Sequence, residues 1–398
     1  MRTNDLFLTA ASASMMMLAA CTHDDGTASI SEPTPVGNEL IISTRHSEMG
    51  ITRAESNIQG TMFDLNAEMD VFLRDATNPA EVSNTNDTTH YATNPKLYKV
   101  TNTSTGAIKT YSAGDTENRL FWPKLMHELY IFGVYPVGSV SWNNVVDNTN
   151  PTHADYNPFS DTQNYYFTVQ EDQTSEANYK ASDLMTGLPS GYTHTGGTAY
   201  TAPFKLTQYE NPGTVPLLFT HRLTKVVVNI TKTTGTEDTD IPIDDIKYSG
   251  DTDTEYARVT LLNTKRKTSF QVPSTDILVD GDASHVATPP ATDQVVVGQG
   301  STTITVGGYT AVTLSAIVPP QQIAATTTFI QVELIDKSSG NEVVTDTFLY
   351  KIPGEGLTLL ASKVHTYNIR INKPHINVST TINNWDAVDA VNEIGTLQ

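Results

Sequence analysis

Short runs of alternating apolar and polar residues, separated by polar loops, recur along this chain and limit what it can fold into. In 66–74 the apolar side chains of Met69, Val71 and Leu73 share one parity, and the same alternation returns in three later stretches. The run 129–135 is nearly continuously apolar, which is typical of a strand buried on both faces. Apart from the first 20 residues, no segment carries an apolar stripe of helical period. The sequence therefore predicts an all-β fold built as two sandwiches.

The longest β signal, 215–230, predicts one strand that opens a second domain. It follows the turn-forming residues Glu210-Asn211-Pro212-Gly213, which mark a plausible boundary. We therefore divide the chain into an N-terminal β-sandwich domain at 38–210 and a C-terminal β-sandwich domain at 211–398.

The N-terminus has the features of an exported lipoprotein. Residues 1–20 contain an apolar run that suits a signal peptide and is short for a membrane span. Leu18-Ala19-Ala20-Cys21 resembles the lipobox of bacterial lipoproteins, which implies lipid attachment at Cys21, the only cysteine of the chain. The alternative is a buried free cysteine on a core helix, but the polar, proline-containing stretch 22–37 offers no core. We expect 21–37 to be a flexible tether.

The net charge of the chain limits the classes of partner that it is expected to bind. Acidic residues outnumber basic ones by 44 to 24, giving a formal net charge of −20. This excess disfavours nucleic acid and anionic lipid. Beyond the signal peptide, no stretch of the sequence is long and apolar enough to span a membrane.

No motif in the sequence indicates an enzyme, a cofactor or a metal site. The ten histidines have no metal-ligand spacing, and nucleophile elbows and phosphate-binding loops do not occur. His221 and His365 lie within strand patterns, where a hydrogen-bonded sheet histidine is the expected role. We therefore predict no catalytic residues.

An acidic stretch at 237–255 raises the question of calcium. Asp251, Asp253 and Glu255 have the alternate spacing of oxygen ligands. The glycine and the glutamate that an EF-hand requires at its sixth and twelfth positions are replaced by tyrosine and leucine. A solvated acidic loop is the favoured interpretation, and calcium binding stays open.

A series of phrases, each weak alone, occurs in a fixed order: FWP at 121–123 with LYIFGVYP ending at Pro136, ASDLMTG at 181–187, VPLLFTHRLTKVVVNI at 215–230, IVPPQQI at 317–323, LLASKVHTYNIRI from 359, and INVSTTINNW at 376–385. In this order they resemble the fimbrillin family, the pilins of type V pili and related surface lipoproteins of Bacteroidales. Two departures are Ser362, where the family usually has glycine, and the poorly matched part before Phe121. The acidic pair after Cys21 likewise resembles an export signal of surface lipoproteins in Bacteroidota.

The resemblance implies two transthyretin-like β-sandwiches with a structural or adhesive role. It also implies that an Arg-specific protease removes the lipid and the first strand. Arg53 in ITRA fits such a site and Arg45 in STRH is the runner-up, while an ordinary exposed loop arginine remains the alternative. The strand displaced would carry Leu40, Ile41 and Ile42.

The tail after Trp385 is the candidate donor strand. Val388, Ala390 and Ile394 share one parity, as a strand with one buried face requires. Asn392 interrupts that face, and the same residues would equally suit a helix turn. The donor segment could instead begin earlier, at 376–381.

Two functions from different classes follow. The first is a structural pilus subunit, located at the cell surface and in the pilus, whose partners are other pilin subunits and, through its lipid, the outer membrane. The alternative is a monomeric or pilus-anchoring surface lipoprotein that binds glycan or host protein. Its candidate contacts are Tyr156, Tyr165 and Tyr166, although packing within a sandwich is the ordinary role of such tyrosines.

Overall fold

The structure is a computed structural model of the chain. It describes residues 40–46, 63–75, 96–102, 107–112, 116–118, 122, 129–142, 165–189, 205–206, 214–232, 255–270, 277–279, 294–297, 299–306, 309–372, 375–384 and 390–391. The chain divides into two units, 1–36 and 37–398, and all described residues belong to the second.

The described residues form strands joined by turns, with one short helix. Those up to residue 221 are β1 (Ile41–His46), β2 (Glu68–Asp75), β3 (Lys96–Asn102), β4 (Ala107–Ser112), β5 (Thr116–Asn118), β6 (Leu129–Tyr135), β7 (Ser141–Trp142), β8 (Tyr165–Thr168), α1 (Glu176–Ala181), β9 (Met185–Pro189), β10 (Lys205–Leu206) and β11 (Thr214–His221). The later ones are β12 (Thr224–Lys232), β13 (Glu255–Leu262), β14 (Lys267–Phe270), β15 (Ile277–Val279), β16 (Gln294–Val297), β17 (Gln299–Val306), β18 (Tyr309–Val318), β19 (Gln321–Ile323), β20 (Thr328–Asp336), β21 (Val343–Lys351), β22 (Leu357–Leu359), β23 (Lys363–Asn372), β24 (His375–Asn384) and β25 (Ala390–Val391).

Seven of the early strands close into a ring, in the order β1-β11-β9-β6-β2-β3-β4 and back to β1, with β5 and β10 added at its margins. Alternate side chains point into this ring and form an apolar core of their own. Met69, Val71 and Leu73 of β2 all belong to it and are fully buried, which confirms the face predicted from their parity.

The outer face of the ring is covered by a small sheet in the order β15-β14-β8-β7. Phe72 and Phe132 stack on the outside of the ring with centroids 4.5 Å apart, and Tyr165 of β8 meets both rings edge-on. Because β8 pairs with β14 from much later in the chain, this sheet joins the two halves of the sequence.

The later strands form a sandwich of two sheets, ordered β17-β18-β12-β23-β24-β25 and β16-β13-β20-β21. Their facing side chains share one core, where Tyr367 of β23 meets Phe329 at 5.6 Å and Tyr350 at 5.9 Å between ring centroids. This core is continuous with the aromatic layer on the outside of the ring. A two-stranded sheet, β19-β22, completes the fold.

The prediction of a single strand at 215–230 is wrong. It is two strands, β11 in the ring and β12 in the sandwich, separated at Arg222 and Leu223. The residues facing the core are odd-numbered in β11 and even-numbered in β12. The change is hidden in the sequence because the run Val226–Val228 is apolar at both parities. The all-β, sandwich-like fold is confirmed, whereas the division into domains at 210/211 stays a prediction.

One buried side chain fastens the connector before α1 to the sandwich. The amide of Gln173 donates to the carbonyl of Ile317 at 2.7 Å and accepts from its N–H at 2.8 Å, so it acts as a short neighbouring strand for β18. The backbone N–H of Gln173 also donates to Val296 of β16. Among the described helices, none has the length and apolar character needed to cross a membrane.

Candidate assembly site at the first strand

The first described strand, β1, is an interior member of the ring. It runs parallel to β11 over six residue pairs, from Ile41 opposite Thr214 to His46 opposite Phe219. On its other side it meets β4 over only two pairs, through Ile42 and Ser43. We call the position between β11 and β4 the slot. The ring closes only because β1 occupies it.

The side chains of β1 that point into the ring are the same set that alternation selects. Leu40, Ile42 and Thr44 are 5%, 1% and 1% exposed, whereas Ile41 is half-buried. Ile42 lies opposite Val215 of β11 and Ile108 of β4, both of which belong to the ring core. A strand with two apolar residues followed by a threonine at alternate positions therefore fills the slot.

The interior of the ring beyond the slot is tightly packed around Phe219. Its ring lies over two glycines that face each other on neighbouring strands, and a Cβ at Gly133 or Gly187 would come within 2.5 or 2.4 Å of it. The ring of Phe63 packs edge-on against that of Phe219, with centroids 5.0 Å apart. It is tilted against the ring of Tyr135, at 5.1 Å between centroids. Phe63 is buried and belongs to the ring core.

Asp70 is a buried carboxyl group on the outer face of the ring. Its side chain accepts a hydrogen bond from the N–H of Gly138 at 2.7 Å, in the turn after β6. Burial raises the pKa of Asp70 to about 6, although this hydrogen bond acts in the opposite direction. The folded protein therefore favours the protonated form of this group near neutral pH more than the unfolded chain does.

Three of the phrases that resemble fimbrillins meet where the chain passes from ring to sandwich. The ring nitrogen Nδ1 of His221 lies 2.7 Å from Oδ1 of Asp183, and both side chains are buried. Ser362 donates its hydroxyl to the carbonyl of His221 and its N–H to Leu223. His221 is thus a hydrogen-bonded structural histidine, as predicted.

Ser362 has φ of +56°, a region that glycine adopts without strain. This explains the departure from the family pattern noted in the sequence. The hydroxyl of Ser362 is anchored to His221, so a side chain is present where the backbone favours none. His365, the second predicted structural histidine, accepts the N–H of Leu360 through Nε2 at 3.2 Å.

The sequence-predicted site residues are partly outside the described chain. Cys21, Arg53, Val388 and Ile394 lie outside it, as do residues 237–254 of the acidic stretch. The backbone of Arg45 lies in β1, opposite Leu218. Ala390 lies in β25 and pairs with Asn383 of β24, so this part of the tail is attached to its own sandwich.

Two further expectations concern ligands. Within the described residues, no group of three or more histidine, cysteine or acidic side chains is placed to hold a metal ion. Tyr165 is completely buried in the aromatic layer and therefore cannot contact a glycan or host protein. Tyr166 is half-buried, and Tyr156 lies outside the described residues.

Comparison with known proteins identifies the family. A family model described as fimbrillin-like matches residues 52–385. The chain belongs to the fimbrillin-like family. Its membership makes it a structural rather than an enzymatic protein, and it supports a pilus-related adhesion role at the cell surface. No curated protein matches the chain.

The solved structures that this chain resembles are distant from it in sequence. A candidate cell adhesion protein from Bacteroides ovatus covers 89% of this fimbrillin-like chain and 100% of its own, at 13% identity and a TM-score of 0.51. A fimbrial protein from Bacteroides vulgatus covers 87% of this chain and 100% of its own, at 15% identity and a TM-score of 0.44. The tip fimbrial protein Mfa3 from Porphyromonas gingivalis, truncated at its C-terminus, covers 87% of this chain and 99% of its own, at 14% identity and a TM-score of 0.36. At this identity the first likeness shows the fold alone.

Proposed function

We propose that this fimbrillin-like protein is a pilus subunit, exported as a lipoprotein and assembled by strand exchange after its first strand is removed. The observation that carries the proposal is the position of β1. It is an interior strand of a closed ring and is joined to β4 by only two residue pairs. Because β1 precedes the other strands of the ring in the sequence, a single cut between β1 and β2 separates it from them.

Removal of β1 would open the ring along the whole slot. The inward side chains of β11 and Ile108 of β4 would lose the cover of Leu40, Ile42 and Thr44. At the same time the backbone groups of β11 and β4 would lose their partners, which gives a template for another strand. Main-chain hydrogen bonds would supply affinity, and alternate side chains would fill the core.

The tail fits the slot in its pattern of side chains. With the polarity of β1, Val388 and Ala390 would take the places of Leu40 and Ile42. Asn392, which interrupts the apolar face of the tail, would then fall at the place of Thr44, which is also polar. The segment 376–381 has a similar pattern, but it pairs with β23 through the ten-residue ladder of β24 and would be costly to detach.

The alternative is a monomeric or anchoring surface lipoprotein that binds glycan or host protein. The pairing of Ala390 and Val391 with β24 favours it, because a tail bound to its own sandwich is not available to a neighbour. Strand exchange requires that this short two-pair contact opens, while the longer ladders of the sandwich persist.

The test uses the full chain treated with an Arg-specific protease. We expect loss of β1 after a cut at Arg53, followed by ladders of SDS-resistant oligomers. Arg53→Ala should block the cut and the ladders, and Arg45→Ala serves as the matched control that leaves both unchanged. Deletion after Trp385 should leave cut, folded monomers. Ladders from both Arg53→Ala and the tail-deleted protein would refute strand exchange and leave the lipoprotein alternative.

A further inference from the structure

Tyr98 of β3 brings a hydroxyl group into the core of the ring. Its side chain is 3% exposed and belongs to the same core as Leu40 and Ile42 of the first strand. Within the part of the chain that the structure describes, the hydroxyl oxygen of Tyr98 has no hydrogen-bond partner. Burial raises the pKa of this hydroxyl, as expected of a group held away from water. Buried tyrosines usually pair their hydroxyl, because an unpaired polar group retains its full cost of desolvation.

The occupant of the slot determines which side chain lies at the level of Tyr98. Tyr98 lies two residues before Val100, which pairs with Ile108 of β4. Ile108 is in turn opposite Ile42 of β1. Because β1 and β3 both run antiparallel to β4, the inward residue of β1 at the level of Tyr98 is the one two places before Ile42. That residue is Leu40, whose side chain has no hydrogen-bonding atom.

The core of the sandwich contains a second hydroxyl of this kind. Tyr367 of β23 is also buried, and its hydroxyl oxygen has no partner among the residues that the structure describes. β23 is held between β12 and β24 by eight and ten residue pairs, so this hydroxyl stays buried as long as the sandwich is folded. The hydroxyl of Tyr98 differs, because loss of β1 would open the ring and admit water to it.

We propose that Tyr98 selects the strand that occupies the slot. Its hydroxyl disfavours β1, which leaves it unpaired, and favours an incoming strand that carries a hydrogen-bond acceptor. The inference rests on the proposed function, in which Val388 of the tail takes the place of Leu40. Asp386 is then one inward position further along, about 7 Å away, which a tyrosine side chain can span. The carboxylate of Asp386 accepts the hydroxyl of Tyr98 in a charge-assisted hydrogen bond.

The first test follows the departure of β1 from the full chain. Tyr98→Phe removes the hydroxyl and keeps the ring, and Tyr367→Phe is the matched control because it removes an equivalent hydroxyl from the sandwich. Melting curves of the uncut variants establish that both are folded. After cleavage by an Arg-specific protease, mass spectrometry follows the release of the peptide that contains β1. Release should be about tenfold slower in Tyr98→Phe, because opening the ring no longer hydrates a buried hydroxyl, and unchanged in Tyr367→Phe.

The second test concerns the incoming strand and measures how fast SDS-resistant ladders of the full chain dissociate on heating. Tyr98→Phe and Asp386→Ala should each dissociate about tenfold faster than the parent, because each leaves one buried partner unpaired. The double variant should dissociate no faster than either single variant, since both remove the same hydrogen bond. Asp386→Asn keeps an acceptor oxygen and should stay close to the parent.

The outcomes separate this inference from the proposed function. If β1 is never released from the parent protein, the proposed function itself fails. If β1 is released and ladders form, but Tyr98→Phe releases β1 at the parent rate or forms ladders at least as durable as those of the parent, the selection by Tyr98 alone is overturned.

Discussion

In the ring, β1 is joined to β11 by six residue pairs and to β4 by two, whereas in the sandwich β23 is joined to β12 by eight and to β24 by ten. Both regions bury a full apolar core, so burial does not distinguish them. The difference lies in how many backbone hydrogen bonds must break before one strand can leave. Under the proposed function, loss of β1 would open the ring at its two-pair seam and leave the ladders of the sandwich in place.

The largest expected effects come from truncating one core side chain in each region. Ile230→Ala in the sandwich should lower the free energy of unfolding by about 4 kcal/mol, through lost burial and the cavity left behind. Ile42→Ala should cost a similar amount in the intact chain, because Ile42 is 1% exposed. After an Arg-specific cut and loss of β1, the Ile42 effect should vanish while the Ile230 effect persists.

Urea unfolding of both variants, before and after cleavage, measures this difference. Equal losses for Ile42→Ala in the cut and uncut forms would mean that β1 stays in the ring. In that case the ring is as permanent as the sandwich, and the comparison between them breaks down.

The sequence was informative where the pattern is local. The alternation in β2 and the apolar run of β6 predicted their buried faces, because a strand repeats every two residues whatever its partner. The first strand that the resemblance implies, with Leu40, Ile41 and Ile42, overlaps β1. The closure of the ring could not be predicted, since it depends on pairing between β1 and β11 from distant parts of the chain.

Other features needed the register of the sheets. Phe219 reads as an ordinary core residue until the structure places Gly133 and Gly187 beneath it. The six-residue helix α1 is too short to show an apolar stripe, so its absence from the prediction follows from its length.

A second prediction addresses the packing of the ring that remains when β1 leaves. Gly187→Ala should lower the free energy of unfolding by about 3 kcal/mol, because the added methyl group would overlap the ring of Phe219 and Phe63 limits its retreat. Gly138→Ala is the control: no atom lies within 4 Å of its added Cβ, but its φ of +62° costs about 1 kcal/mol. Thermal or urea unfolding measures both.

The effect of Gly187→Ala should be relieved by a smaller neighbour. In the double variant with Phe219→Leu, the two losses should add to less than their sum, because the shorter side chain makes room for the methyl group. Additive losses would show that the strain at Gly187 does not come from Phe219.

The smallest expected effects concern pH, to which the two regions respond in opposite directions. Burial raises the pKa of Asp70 in the ring to about 6, from its ordinary value of 3.8. Burial, together with the charge of Lys363, lowers the pKa of His365 in the sandwich to about 4, from 6.5. Between these limits the folded ring binds more protons than the unfolded chain, and the folded sandwich binds fewer. Acidification should therefore stabilise through Asp70 and destabilise through His365.

Two isosteric substitutions separate these opposing contributions. Asp70→Asn keeps an oxygen that can accept the N–H of Gly138, and it should remove a stability that is present below pH 4 and lost as the pH rises through about 6. Relative to the parent, the variant should gain about 2 kcal/mol in free energy of unfolding between pH 4 and 7. His365→Gln keeps an acceptor for the N–H of Leu360. Its free energy of unfolding should change in the opposite sense, falling by a similar amount relative to the parent over the same interval.

Denaturant unfolding at a series of pH values gives both differences, and subtraction of the parent curve cancels the contributions of the other carboxyl groups. Parallel curves for the parent and Asp70→Asn would mean that the Asp70 carboxyl is not held in a dry site, and the opposite pH response of ring and sandwich would then be wrong.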